Sequence, residues 1–274
     1  MPELPEVESL RRSLEPHLID RVLSGVEIYF PKLRWTIPQS ALHELAHAKP
    51  RLEGMGRRGK YLIFQFSNGL GILSHLGMSG QWLVDEPFES GRHMHVVLRF
   101  GERTLTYRDH RRFGMIDVVE LTNLHEHPRL LTLGPEPLGE HFNADLLWPN
   151  FHRAKVPVKT WLMNAKNVVG VGNIYASEAL YLAGIRPTIR ASRIQKYRFT
   201  TLVEVVRKVI GNAIDSGGTT LQDYRNADGE VGGFQERLQV YGRDNAPCYR
   251  CGAPIVRVVI AQRSTLYCGA CQRP

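Results

Sequence analysis

The four cysteines of this 274-residue chain all fall in its last 27 residues, as Cys248, Cys251, Cys268 and Cys271. The spacing is C-x2-C-x16-C-x2-C. Each C-x2-C pair turns tightly enough to present two thiolates, and two such pairs 15–20 residues apart read as one tetrahedral zinc site. The alternatives are two local disulfides or four unligated thiols. A zinc held by four sulfurs has no open coordination position. The expected metal, one Zn2+, therefore folds a small module and takes no part in chemistry.

Charge is distributed unevenly. The net charge is +8, and residues 151–274 carry 18 Lys and Arg against 8 Asp and Glu, while residues 1–150 carry 17 against 19. The half that holds the cysteines is the basic half, which points to a polyanion and first to nucleic acid. There is no run of 18 apolar residues and no signal-peptide pattern, so no membrane partner is expected. Reduced thiolates suit the cytoplasm, where a nucleic-acid partner would place the protein on the nucleoid.

The first half reads as short strands rich in β-branched and aromatic residues: 61–66, 95–100, 104–107 and 115–119. Their regular spacing predicts a sandwich or barrel. One helix precedes them, with Val7, Leu10, Leu14 and Leu18 at a 3.6 period and Pro5, Glu6 and Glu8 in its first turns. Residues 122–150 are rich in Pro, His and Gly and read as a linker. Two helices follow, one over 174–182 and one whose apolar stripe runs Ile194, Tyr197, Leu202, Val205, Val206, Val209 and Ile210. Residues 216–246 show no periodicity.

Eight short motifs, in order along the chain, carry a resemblance to a known family. The chain opens Met1-Pro2-Glu3-Leu4-Pro5-Glu6. Then come Arg57-Arg-Gly-Lys60, Ser74-His-Leu-Gly-Met78, Asp109-His-Arg-Arg-Phe-Gly114, Val168-Val-Gly-Val-Gly-Asn-Ile-Tyr-Ala-Ser-Glu178, Gly217-Gly-Thr-Thr220 and Gln239-Val-Tyr-Gly-Arg243, with Ala261-Gln-Arg263 inside the cysteine module. Together they resemble the formamidopyrimidine-DNA glycosylases, which repair oxidised purines in duplex DNA. The chain departs from the family at His110, where proline is usual, and at Asn164, where aspartate is common. The related endonuclease VIII branch usually has glycine where this chain has Leu4. A non-catalytic damage-binding protein on the same scaffold is a different reading, and the complete Pro2, Glu3 and Lys60 set argues against it.

The resemblance implies an α+β multidomain fold. A catalytic β-sandwich with flanking helices spans 1–133 and a linker spans 134–150. A helical helix-two-turn-helix domain over 151–246 carries a lesion-capping loop at 217–237, and a four-cysteine zinc finger spans 247–274. It implies a monomer with duplex DNA in the cleft between domains. Pro2 is the implied nucleophile and Glu3 the acid/base, with Glu6 supporting and Lys60 gripping phosphate beside the lesion. Met78, Arg111 and Phe113 fill the space left by a flipped base, and His75, Asn173 and Arg263 contact DNA.

The chemistry is reasonable on these residues. Once Met1 is removed, Pro2 offers a secondary amine. An α-amino group titrates near ~8 against ~10.4 for lysine, so about a tenth is neutral at pH 7. The positive end of the following helix favours the neutral form further. Attack on the sugar C1′ gives an iminium, which sets up strand cleavage by elimination.

Overall fold

A computed structural model describes residues 2–85, 93–220, 226–227 and 229–274. The chain divides into two compact units, Met1–Leu131 with Ser216–Gly233, and Thr132–Asp215 with Phe234–Pro274.

The first unit opens with helix α1 (Leu4–Leu18). Val7, Leu10, Leu14 and Leu18 are all buried on one stripe, as the 3.6 period requires. Then follow β1 (Gly25–Ile28), α2 (Gln39–His47), β2 (Leu52–Arg58), β3 (Tyr61–Phe66), β4 (Leu70–His75), β5 (Gly80–Val84), β6 (Met94–Phe100), β7 (Arg103–Asp109) and β8 (Met115–Glu120). They form two four-stranded antiparallel sheets, in the orders β1-β6-β7-β5 and β2-β3-β4-β8. Aromatic side chains join the sheets: Phe64 meets Trp82 edge-on at 5.5 Å between ring centres, and Phe66 stacks on Phe100 at 6.5 Å. Every strand read from the sequence is present.

The second unit is helical, with α3 (Ala144–Phe151), α4 (Val158–Met163), α5 (Asn173–Leu182) and α6 (Lys196–Asp215), and it ends in the hairpin β9 (Ile255–Ile260) and β10 (Arg263–Cys268). Its core is aromatic: Phe151 stacks on Phe199 at 3.9 Å, and Trp161 meets both rings edge-on.

Three expectations need correction. Residues 144–151 are helical rather than linker, with Asn143 Oδ1 accepting the Leu146 N–H at 2.9 Å as an N-cap. Pro149 inside this helix masked it, since proline ordinarily stops one. Tyr197 is 67% exposed, so the apolar stripe of α6 takes Phe199 instead, which is fully buried. Finally, residues 216–233 join the first unit, whereas the sequence placed them with the helices. Parts of the capping-loop segment, 221–225 and 228, lie outside the described residues.

Candidate active site and nucleic-acid interface

Pro2 is buried and Glu3 is the N-cap of α1, 2% exposed with extended backbone. Glu6 is no solvated first-turn charge. Its Oε2 accepts the Glu3 N–H at 2.7 Å and its Oε1 accepts the Thr219 N–H at 2.7 Å. One buried carboxylate thus fixes both the chain start and the segment returning from residue 216. Gly218 sits against it with φ +82, where a Cβ would lie 2.9 Å from Glu6 Oε1, so glycine is needed for space and for conformation.

Lys60 lies in the two-residue turn between β2 and β3, after Gly59. Arg57 steadies this turn, donating to the Gly59 carbonyl at 3.0 Å and to Glu8 Oε2 at 3.1 Å. Glu8 also pairs with Arg11 and Arg12 on α1. Burial would raise the Glu8 carboxyl, but the hydrogen bonds and charges of Arg11, Arg12 and Arg57 outweigh it and hold it down to about 2.

The Met78 turn and the 110–114 turn interlock. A Cβ on Gly77 would fall 2.4 Å from the Phe113 carbonyl carbon. Asp109, fully buried, organises both: Oδ1 accepts from Ser79 Oγ at 2.6 Å and from the Arg111 N–H at 3.2 Å, and Oδ2 accepts from the Gly114 N–H at 2.8 Å. Arg111 is exposed and its guanidinium lies 5.0 Å from the centre of the 45% exposed Phe113 ring. Met78 is half-buried on the facing turn. His110 packs on His93 at 4.2 Å between ring centres. The turn closes through Asp109, whose carbonyl accepts the Arg112 N–H at 3.3 Å, so it does not depend on proline at 110.

His75 ends β4 against the Tyr61 ring. Its Nδ1 accepts the Gly77 N–H at 3.0 Å. Burial, and then the charges of Lys60, Arg34 and Arg129, push its pKa down to about 4. The ring is therefore neutral near pH 7, and its proton sits on Nε2.

In the second unit, Asn173 is the first residue of α5, and its Nδ2 donates to the Ser264 carbonyl at 3.0 Å and to Tyr241 Oη at 3.3 Å. Glu178 on the same helix accepts three backbone N–H groups, from Gln239, Val240 and Tyr241, at 2.8–3.0 Å. Burial pushes its carboxyl up, and those three donors pull it back. Lys159, 1% exposed, donates to Thr265 Oγ1 at 2.9 Å. The β9–β10 hairpin is thereby held from two sides, and Arg263 stands exposed beside its tip, where Ala261 and Gln262 both have positive φ. Asn164 Oδ1 accepts the Lys166 N–H at 3.1 Å, a bond for which the acceptor oxygen of asparagine suffices as well as that of aspartate.

The four cysteine sulfurs lie within 4.8 Å of one another, with Cys248–Cys271 at 3.9 Å and Cys251–Cys268 at 3.5 Å, and no disulfide joins them. Tetrahedral zinc–thiolate bonds imply sulfur separations of about 3.8 Å. Burial, then the neighbouring sulfurs, push the Cys271 thiol up to about 12, so full deprotonation calls for a cation at the centre. The residues fit one zinc ion.

Residues 1–116 match the formamidopyrimidine-DNA glycosylase N-terminal domain, 133–225 the H2TH domain of the same enzymes, and 246–274 a zinc finger found in FPG and IleRS. The chain is 47% identical to a formamidopyrimidine-DNA glycosylase of Thiobacillus denitrificans and 43% identical to one of Dinoroseobacter shibae, in each case over the whole of both chains. The chain belongs to the formamidopyrimidine-DNA glycosylase family. Among solved structures, a Lactococcus lactis FPG variant in complex with Fapy-dG-containing DNA matches with a TM-score of 0.92 and 32% identity over the full length of both chains. The FPG protein of Thermus thermophilus matches at 0.88 and 38%, covering 99% of this chain and 98% of that one.

The structure brings Pro2, Glu3 and Glu6 together at the start of α1, and it interlocks the turns of Met78, Arg111 and Phe113. The sequence reading missed Glu8, Arg57 and Asp109, and also Lys159 and Glu178. Glu8 had a legible signal, since Arg11 and Arg12 follow at the three- and four-residue spacing that pairs charges on a helix. Asp109 and Glu178 stand inside quoted motifs, but their partners lie on other elements.

Proposed function

We propose that this formamidopyrimidine-DNA glycosylase excises oxidised purines, 8-oxoguanine and formamidopyrimidines, from duplex DNA and then cleaves the strand as an AP lyase. The observation that carries this reading is the buried Pro2-Glu3 start of α1, pinned by Glu6. A base in a duplex cannot be reached in place, so the nucleotide turns out of the stack. Met78 and Phe113 enter the vacated space, and Arg111 offers donors to the orphaned partner base.

The neutral amine of Pro2 forms a bond to C1′ as the bond from C1′ to the base nitrogen breaks. Glu3 manages the proton that lets the sugar ring open and the base leave. Once the amine proton is lost, the nitrogen lone pair expels O4′, which takes up a proton as the C1′–O4′ bond breaks, and the open-chain product is a cationic iminium. Its charge acidifies C2′, β-elimination expels the 3′ phosphate, and a second elimination expels the 5′ phosphate, leaving a one-nucleotide gap. Lys60 and the Nε2–H of His75 hold phosphate oxygens near the lesion, and Asn173 and Arg263 hold the backbone from the second unit. Cys248, Cys251, Cys268 and Cys271 would hold a zinc ion that supplies structural rigidity to the hairpin carrying Arg263. The protein acts in the cytoplasm, on nucleoid DNA.

Incision assays test this directly. A duplex with one 8-oxoguanine is expected to be cut, with borohydride trapping the protein on the strand, and a thymine glycol duplex is expected to react far more slowly. Preference for the thymine glycol would overturn the substrate assignment.

A further inference from the structure

A short turn in the first unit carries charge that the steps above do not use. An isolated bridge between Lys32 and Thr36 closes it, and Leu33 and Ile37, both at most 5% exposed, plug it into the core. Arg34 and Trp35 project between these anchors, with Trp35 39% exposed. Arg129 arrives from a distant part of the chain, beside the buried Leu130, and its guanidinium lies 3.7 Å from the centre of the Trp35 ring. The Arg34 guanidinium lies 4.7 Å from the same ring.

Neither arginine has a carboxylate partner among the described residues. Two guanidiniums held on one indole repel each other, and an anion bound from outside would offset that cost. Stacking on a ring leaves the in-plane N–H donors of a guanidinium open, in the fork that suits phosphate. The position fits as well. Both charges act on His75 and on Tyr61, the residue after Lys60.

We propose that Arg34, Trp35 and Arg129 form a preorganised platform for the DNA phosphodiester backbone, extending the track of Lys60 and His75 away from the lesion. The platform rests on the reading of this chain as a DNA repair enzyme, but it acts on backbone and is indifferent to the base.

The test uses the full-length, zinc-loaded protein. Its affinity for an undamaged duplex, and for one holding a tetrahydrofuran abasic analogue, is measured over a salt series. Arg34→Gln with Arg129→Gln is expected to lower the slope of log K against log salt by about 1.8 on both duplexes, since each phosphate contact contributes about 0.9. Each single variant should lose about half of that. Arg34→Lys with Arg129→Lys should keep the slope, because the charge remains. Borohydride trapping at saturating protein should be unchanged in every variant, as these residues stand outside the chemistry. A wild-type slope in the double glutamine variant overturns the platform, and so does an equal loss in the lysine variant. If the slope falls as expected but the parent protein leaves 8-oxoguanine uncut, the substrate assignment fails and the platform stands.

Discussion

Glu6 Oε1 accepts the Thr219 N–H at 2.7 Å across 213 residues of sequence, while Oε2 of the same carboxylate accepts the Glu3 N–H. The first turn of α1 and the segment that follows α6 are thus held by one buried group. Glu6→Ala would remove both hydrogen bonds, and a buried N–H that loses its acceptor costs roughly 1–3 kcal/mol. Gly218→Ala would strain the same contact, because a left-handed backbone costs a non-glycine residue about 1–2 kcal/mol before any clash with Glu6. Both variants are expected to unfold at lower denaturant, with Glu6→Ala the more damaged. Unchanged midpoints would show the contact to be dispensable.

The two chemical steps should separate. An abasic site has already lost its base and equilibrates with an open aldehyde, so it asks less of Glu3. Glu3→Gln should fail to release 8-oxoguanine yet still form a borohydride-trappable adduct with a preformed abasic site. One extra residue before Pro2 turns the amine into an amide and should abolish trapping on both substrates. Efficient trapping by the extended protein would make a lysine the nucleophile, with Lys60 first to be tested.

Acid should loosen the anchor of the Lys60 turn. The folded Glu8 carboxyl sits at about 2, below its ordinary value of 4.5. A depressed carboxylate contributes its stability above the unfolded pKa and loses it as pH falls towards the folded one. The contribution is therefore complete above about pH 5 and declines through the window down to about 2, by on the order of 3 kcal/mol at 1.36 kcal/mol per unit. Unfolding curves across this window should show that slope in the parent protein and a shallower one in Glu8→Gln.

Metal and DNA grip should be lost together. Cys248→Ser or Cys271→Ser is expected to lose zinc by elemental analysis and to weaken DNA binding, since Arg263 stands on the hairpin between the two cysteine pairs. The first unit has its own core and should keep its unfolding transition. Normal DNA binding by a zinc-free variant would separate the metal from the grip.

Asp109 should act on base-pair discrimination through the turn that carries Arg111. Asp109→Asn sets an amide against the Gly114 N–H or the Ser79 hydroxyl, so at least one of the three bonds is lost. Excision is expected to depend less on the base opposite the lesion, while trapping on an abasic site in single-stranded DNA stays near normal. Equal loss on every substrate would indicate general unfolding instead.

Much of the molecule is legible in the linear sequence, because local patterns encode it. The cysteine spacing fixes one four-sulfur cluster, since each pair closes within a single turn. The β-branched and aromatic runs give β3, β6, β7 and β8, and the 3.6-period apolar residues give the buried stripe of α1, because such patterns record which part of an element avoids water, while β1, β2, β4 and β5 carry too weak a pattern to be read. Polar partners follow no such period. Lys159 reads as one more cation in the basic half, yet the fold buries it against Thr265, 106 residues on. Glu6 reads as an ordinary first-turn charge until Thr219 comes back to meet it. Arg34 and Arg129 share a ring only because the fold brings two distant segments together. Burial can be read from one residue and its near neighbours, whereas a hydrogen bond or ion pair needs two groups whose meeting is decided by the path of the whole chain.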